Sequence, residues 1–103
     1  MTVPDHMRGP WTHGPETVTA LAVEGEDRLY ELPPTKFIIR IGSQSDCDVV
    51  LTARFISRHH CQIERRGPRT YVVDKGSKNG IVVGDRVEKE FELHPGDRFK
   101  IAG

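Results

Sequence analysis

From residue 17 onward, short runs rich in β-branched and aromatic residues alternate with clusters of Gly, Pro, Asp and Ser, a spacing that predicts an all-β sandwich. In residues 17–23, Val18, Ala20 and Ala22 alternate with Thr17, Thr19, Leu21 and Val23, the period of two that puts successive side chains on opposite faces of a strand. Gly25-Glu26-Asp27 then turns the chain into a second run, 28–32, and the pair predicts a hairpin. Pro33-Pro34 ends that run, because proline has no N–H to offer a ladder. Residues 36–41 follow as a β-branched and aromatic central strand that stops at Gly42. Further strands are predicted at 49–51, 61–64, 71–73, 81–83, 86–87, 91–93 and 98–101. No segment carries the helical period.

Two connections specify their own geometry. Gly84-Asp85, between Val83 and Arg86, is a two-residue hairpin turn with glycine at the first central position, where a positive φ is needed. His94-Pro95-Gly96-Asp97 places proline and glycine as a type II turn requires. Residues 1–16 differ from everything after them. Pro4, Gly9, Pro10, Gly14 and Pro15 interrupt polar residues without either period, which predicts a flexible N-terminal arm ahead of a β-sandwich domain at 17–103.

A chain of 103 residues suits one hydrophobic core, and 36% hydrophobic with 29% charged residues suits a soluble domain. The most apolar run, 36–41, is far too short to cross a bilayer, and the first residues lack the pattern of a secretory signal, so a cytoplasmic location away from membranes is expected. Lys plus Arg and Asp plus Glu both total 15, so no overall field favours nucleic acid or a membrane surface, and any anion site must be local. The Arg65-Arg66 and Arg69 cluster reads as a solvated basic turn. Cys47 and Cys61 form no Cys-x-x-Cys pair, which leaves zinc-ribbon and thioredoxin readings unsupported; both are expected as buried free thiols.

The chemistry concentrates in two loops. Ser57-Arg58-His59-His60 directly precedes the strand at Cys61, and Lys75-Gly76-Ser77-Lys78-Asn79-Gly80 lies between two later strands. If the loops meet at one end of the sandwich, Ser57, Arg58, Lys78 and Asn79 form an electropositive, donor-rich surface. A phosphate dianion needs that combination, because hydroxyl and amide give direction while guanidinium or ammonium gives charge. Such a surface binds without reacting. His60 and Cys61 are neighbours on a strand and point to opposite faces, so they do not share a metal, and no nucleophile–base pair is placed by the sequence. No enzyme activity, metal or cofactor is therefore expected.

Gly42, Ser57-Arg58-His59-His60, the segment from Asp74 to Gly80, and Leu93 onward to Gly103 together resemble the forkhead-associated (FHA) domain in order and approximate spacing. The resemblance covers roughly residues 18–103. It implies a two-sheet antiparallel β-sandwich whose apical loops recognise phosphothreonine in extended segments of partner proteins. Position by position, it implies that Ser57 and Arg58 face the phosphate and that Asn79 holds the ligand main chain. It also implies that His60, Asp74, Ser77, Gly42 and Gly80 support the loops. Lys78 stands where the family often has threonine.

One departure bears on function. Ser43 follows Gly42 where the family usually carries an arginine that grips the phosphate, and losing one charge-assisted contact costs about 1.5–3 kcal/mol. Lys75, Lys78, Arg58, Arg54 and Arg40 are near in sequence, although the period of two sets Arg40 on the face opposite Ser43. Lys75 replaces a usually apolar residue and the Val83–Arg86 turn is one residue short. The chain ends at Gly103, where a last strand would follow, so the resemblance implies a piece of a longer protein or a sandwich with an unpaired edge. Two functions follow. One is a phosphothreonine-peptide-binding module, the sensor or adaptor part of a longer signalling protein, whose partner is a Ser/Thr kinase or a kinase substrate. The alternative is an interaction domain that no longer depends on phosphate. Neither fixes an oligomeric state.

Overall fold

The structure, a computed structural model, describes residues 1–2, 18–23 and 26–101; most of the predicted arm and Gly25 of the first predicted turn lie outside them. Nine strands form among the described residues: β1 (Ala20–Ala22), β2 (Leu29–Glu31), β3 (Ile38–Gly42), β4 (Val49–Val50), β5 (Cys61–Arg66), β6 (Arg69–Asp74), β7 (Ile81–Val83), β8 (Arg86–Glu88) and β9 (Glu90–Glu92). The fold is an all-β sandwich. Among the described residues no helix is long and apolar enough to cross a membrane.

The first layer is a five-stranded sheet in the order β4-β3-β5-β6-β9. Its registers pair Ile39 with Ile63, Ile63 with Val72 and Val72 with Phe91, so one apolar row runs across four strands. The next row on the other face, Ile38, Glu64, Tyr71 and Glu92, meets solvent. Period-two alternation thus becomes a buried and a wet face.

The second layer is built from the hairpins β1-β2 and β7-β8. Single bridges join them: Thr2 pairs with both Ala22 and Arg98, and Lys100 pairs with Val82. Met1 and Thr2, the described start of the arm, thereby lie as a strand-like segment between β1 and residues 98–100. The Thr2 N–H donates to the Ala22 carbonyl at 2.9 Å and the Phe99 N–H to the Met1 carbonyl at 2.9 Å. The strand predicted at 98–101 is present only as these bridges. Leu21, Tyr30, Ile39, Ile41, Ile63, Val72, Ile81, Leu93 and Phe99 fill the space between the layers, each nearly or wholly buried.

Two expectations need correction. The sandwich is not wholly antiparallel, because β4 runs parallel to β3, with Ile41 opposite Val49 and Gly42 opposite Val50. Residues 43–48 fold back through a turn closed by the Cys47 N–H on the Gln44 carbonyl at 3.1 Å, which restarts the chain beside β3 in the same direction.

The basic turn is not uniformly solvated either. Arg66 and Arg69 are exposed and pair with Glu64, Glu90 and Glu92, but Arg65 lies on the inward parity of β5. Its guanidinium donates to the carbonyls of Val18 at 3.0 Å, Leu32 at 2.9 Å and Lys36 at 3.2 Å, tying the first layer to the chain around β1 and β2. Arg65→Ala leaves those acceptors unpaired and is expected to cost about 2–4 kcal/mol, read as a lower urea midpoint with an unchanged slope. A midpoint equal to wild type would show that water replaces the guanidinium without loss.

Candidate functional site

The two polar loops meet at one end of the sandwich, because β5 begins where the first loop ends and its neighbour β6 ends where the second begins. Cys61 is paired with Asp74, which sets Ser57-Arg58-His59-His60 beside Lys75 and the turn that follows. The Lys75 N–H donates to the His60 carbonyl at 3.0 Å. Across the gap, the Lys78 N–H donates to Ser57 Oγ at 3.2 Å, and Asn79 Nδ2 donates to the Phe55 carbonyl at 3.2 Å.

His60 lies beneath this junction, fully buried. Its Nδ1 accepts from the Ser57 N–H at 3.1 Å, so Nε2 carries the proton and donates to the Gly80 carbonyl at 2.7 Å. One imidazole therefore bonds to both loops. The second loop is also closed on itself: Ser77 Oγ donates to the Asp74 carboxylate and accepts from the Gly80 N–H at 2.8 Å. Gly80, at φ 73°, takes the left-handed conformation that returns the chain into β7.

Gly42 and Ser43 form the third side. The Ser43 N–H donates to the Ser57 carbonyl at 3.1 Å and the Gln44 N–H to the Arg58 carbonyl at 3.3 Å, so the end of β3 is zipped to the first loop by its backbone. The structure thus brings together Ser43, Ser57, Lys78 and Asn79 above Gly42, His60, Asp74, Ser77 and Gly80, with Arg58 exposed on the same loop. Neither Arg58 nor Lys78 has a carboxylate partner among the described residues, so both charges face solvent at this tip. Arg40 is not part of the cluster. It lies exposed on the outer face of the sheet, where its N–H donates to Asp48 at 2.9 Å.

Phe55 was not distinguished by the sequence reading. It is a non-glycine residue at φ 71°, exposed at the loop, with the Arg54 guanidinium 5.2 Å above its ring and its carbonyl held by Asn79. Nothing in residue type signals it, since phenylalanine seldom adopts that conformation. Both cysteines are free and buried. Burial pushes the Cys61 thiol up to about 12, which leaves it protonated and a poor nucleophile at neutral pH.

A family model for the FHA domain matches residues 39–102, more than half of the chain. The chain belongs to the FHA domain family. FHA domains are protein-interaction modules, and relatives of this one occur within larger proteins. Protein FraH of Nostoc sp. is 30% identical over 97 residues, covering 84% of this chain and 34% of that protein. The transcriptional regulatory protein EmbR of Mycobacterium tuberculosis is 36% identical over 63 residues, 60% of this chain and 16% of that protein. The chain therefore spans about a third of one curated relative and less of the other. In three dimensions, EmbR in complex with a low-affinity phosphopeptide superposes with a TM-score of 0.71 at 32% identity, over 80% of this chain and 21% of that one. A structure from an analysis of phosphothreonine-dependent FHA domain interactions gives 0.70 at 26% identity, over 82% and 83%.

Proposed function

We propose that this FHA domain binds phosphothreonine in an extended segment of a partner protein through Ser57, Arg58, Lys78 and Asn79. The observation that carries the reading is the Ser57–Lys78 hydrogen bond, which closes two loops 21 residues apart into one polar tip with the exposed Arg58 and Lys78 side chains beside it. Ser57 Oγ and the exposed backbone donors give a phosphate its direction, and Arg58 and Lys78 give it charge. The Asn79 carboxamide, held on the Phe55 carbonyl, exchanges that bond for the main chain of the ligand. The partner belongs to Ser/Thr kinase signalling, as a kinase or its substrate, and the domain is the sensor or adaptor part of a longer cytoplasmic protein without catalysis of its own.

Ser43 favours a second reading, an interaction surface that does not depend on phosphate. Its backbone sits where the family's arginine would start, but its side chain is a short hydroxyl. Arg58 and Lys78 are then the exposed cations left at the tip, and a lysine lacks the forked geometry of a guanidinium.

Titration of phosphothreonine peptides against their unphosphorylated twins separates the readings. Preference for the phosphorylated form is expected. Ser57→Ala and Asn79→Ala should each remove most of it while the thermal transition stays near wild type. Ser43→Arg should raise affinity by roughly ten- to a hundredfold, the worth of one charge-assisted contact. Equal binding of both peptides, unmoved by Ser43→Arg, would leave only the phosphate-independent function.

A further inference from the structure

Outside the polar tip, a second set of side chains converges from the 43–48 fold-back and the 57–60 loop. Asp46 and Cys47 belong to the fold-back between β3 and β4, and His59 to the loop before β5, yet one ligand atom from each lies within 4.8 Å of the other two. His59 Nε2 is 3.0 and 3.2 Å from the two carboxylate oxygens of Asp46. Beneath them, the Cys47 thiol donates to the Arg58 carbonyl at 3.3 Å.

The backbone under this cluster is fixed independently of the cluster. Ser43 and Gln44 donate to the carbonyls of Ser57 and Arg58, and Cys47 closes its own turn on Gln44, so the two segments carrying the ligands are held in register. From this geometry we infer that Asp46, Cys47 and His59 form a divalent transition-metal site, suited to zinc, with the fourth position open to water.

The donor set selects the ion. A thiolate with an imidazole excludes magnesium and calcium, which take oxygen ligands, whereas zinc accepts sulfur, nitrogen and carboxylate oxygen in one tetrahedral shell. Zinc–ligand bonds of about 2.0–2.3 Å place tetrahedral donors roughly 3.3–3.7 Å apart. The His59–Asp46 separation is already close to that, and a modest rotation of exposed His59 and Asp46 toward the Cys47 sulfur completes the shell. Binding replaces the Cys47 S–H bond to Arg58 by a sulfur–metal bond, and the thiol proton passes to solvent.

This site stands apart from phosphopeptide recognition, since none of its three ligands belongs to the proposed contact set. Cobalt(II) added to the full chain tests it. One equivalent should give tetrahedral visible bands and a thiolate charge-transfer absorption in the near ultraviolet, and zinc should bleach both. Cys47→Ser should abolish the charge-transfer absorption. His59→Ala, a change at an exposed side chain that spares the fold, should weaken binding at least about tenfold, as expected when one of three protein ligands is lost. A His6→Ala/His13→Ala variant should bind as wild type. The inference fails if wild-type protein gives no thiolate band, if the band survives Cys47→Ser, if His59→Ala binds as tightly as wild type, or if the arm histidines are what carry the ion.

Discussion

Gly42→Ala is expected to destabilise the domain by about 3–5 kcal/mol, although Gly42 sits in an ordinary strand conformation that alanine adopts freely. The obstacle is contact. A Cβ at this position would lie 1.9 Å from the Arg58 carbonyl oxygen, 2.7 Å from its carbon and 3.1 Å from Cys47 Sγ. The obstructing atoms are mostly backbone, and that backbone is anchored. Arg58 O accepts from Gln44 and from Cys47, while Gly42 O accepts from the Leu51 N–H at 2.9 Å. Relief requires the whole 57–60 loop to move outward, carrying Ser57 off Lys78. Phosphopeptide affinity should therefore fall even in conditions where the variant remains folded. Chemical denaturation measures the first effect and peptide titration the second. A variant within about 1 kcal/mol of wild type would mean that the loop has a second position of nearly equal energy, contrary to the packing described.

His60→Ala carries the other large effect, about 3–5 kcal/mol, through a different mechanism. Removing a fully buried imidazole leaves a cavity, and it strands two groups at once, the Ser57 N–H and the Gly80 carbonyl. Both lie on the two loops that the imidazole bridges. The amide of Ser57 should lose its protection from hydrogen exchange ahead of amides in the centre of β5, and loop order should be lost before the sheet is. Gly42→Ala, by contrast, displaces one loop and leaves the imidazole bonds to adjust. If Ser57 exchange were unchanged in His60→Ala, a water would be satisfying its N–H and the histidine would be a filler.

How far these features were legible beforehand varied with how local their causes are. The strands at 81–83 and 38–42, and the Gly84 and Gly96 turns with their positive φ values, follow from alternation and from glycine placement, which act over a few residues. The two polar loops stood out because their residue types are unsuited to strand interiors. Arg65 did not stand out: beside Arg66 in sequence it looks the same, and only its inward parity on β5, set by the Ile39–Ile63–Val72 row, turns it toward the carbonyls of Val18, Leu32 and Lys36. Phe55 and the Asp46–Cys47–His59 cluster were hidden for a related reason. Their partners are 24 and 13 residues away along the chain, and no local pattern records such distances.

The sequence by itself determined an all-β chain, most strand positions, the turn chemistry and which two loops hold the polar residues, because each depends on neighbours a few positions apart. Tertiary structure alone decided that β4 runs parallel to β3, that Thr2 lies between β1 and Arg98, and that Ser57 meets Lys78 over His60. Those contacts join segments whose separation is set by sheet register and layer stacking, and register is fixed only when the apolar rows of several strands are buried together.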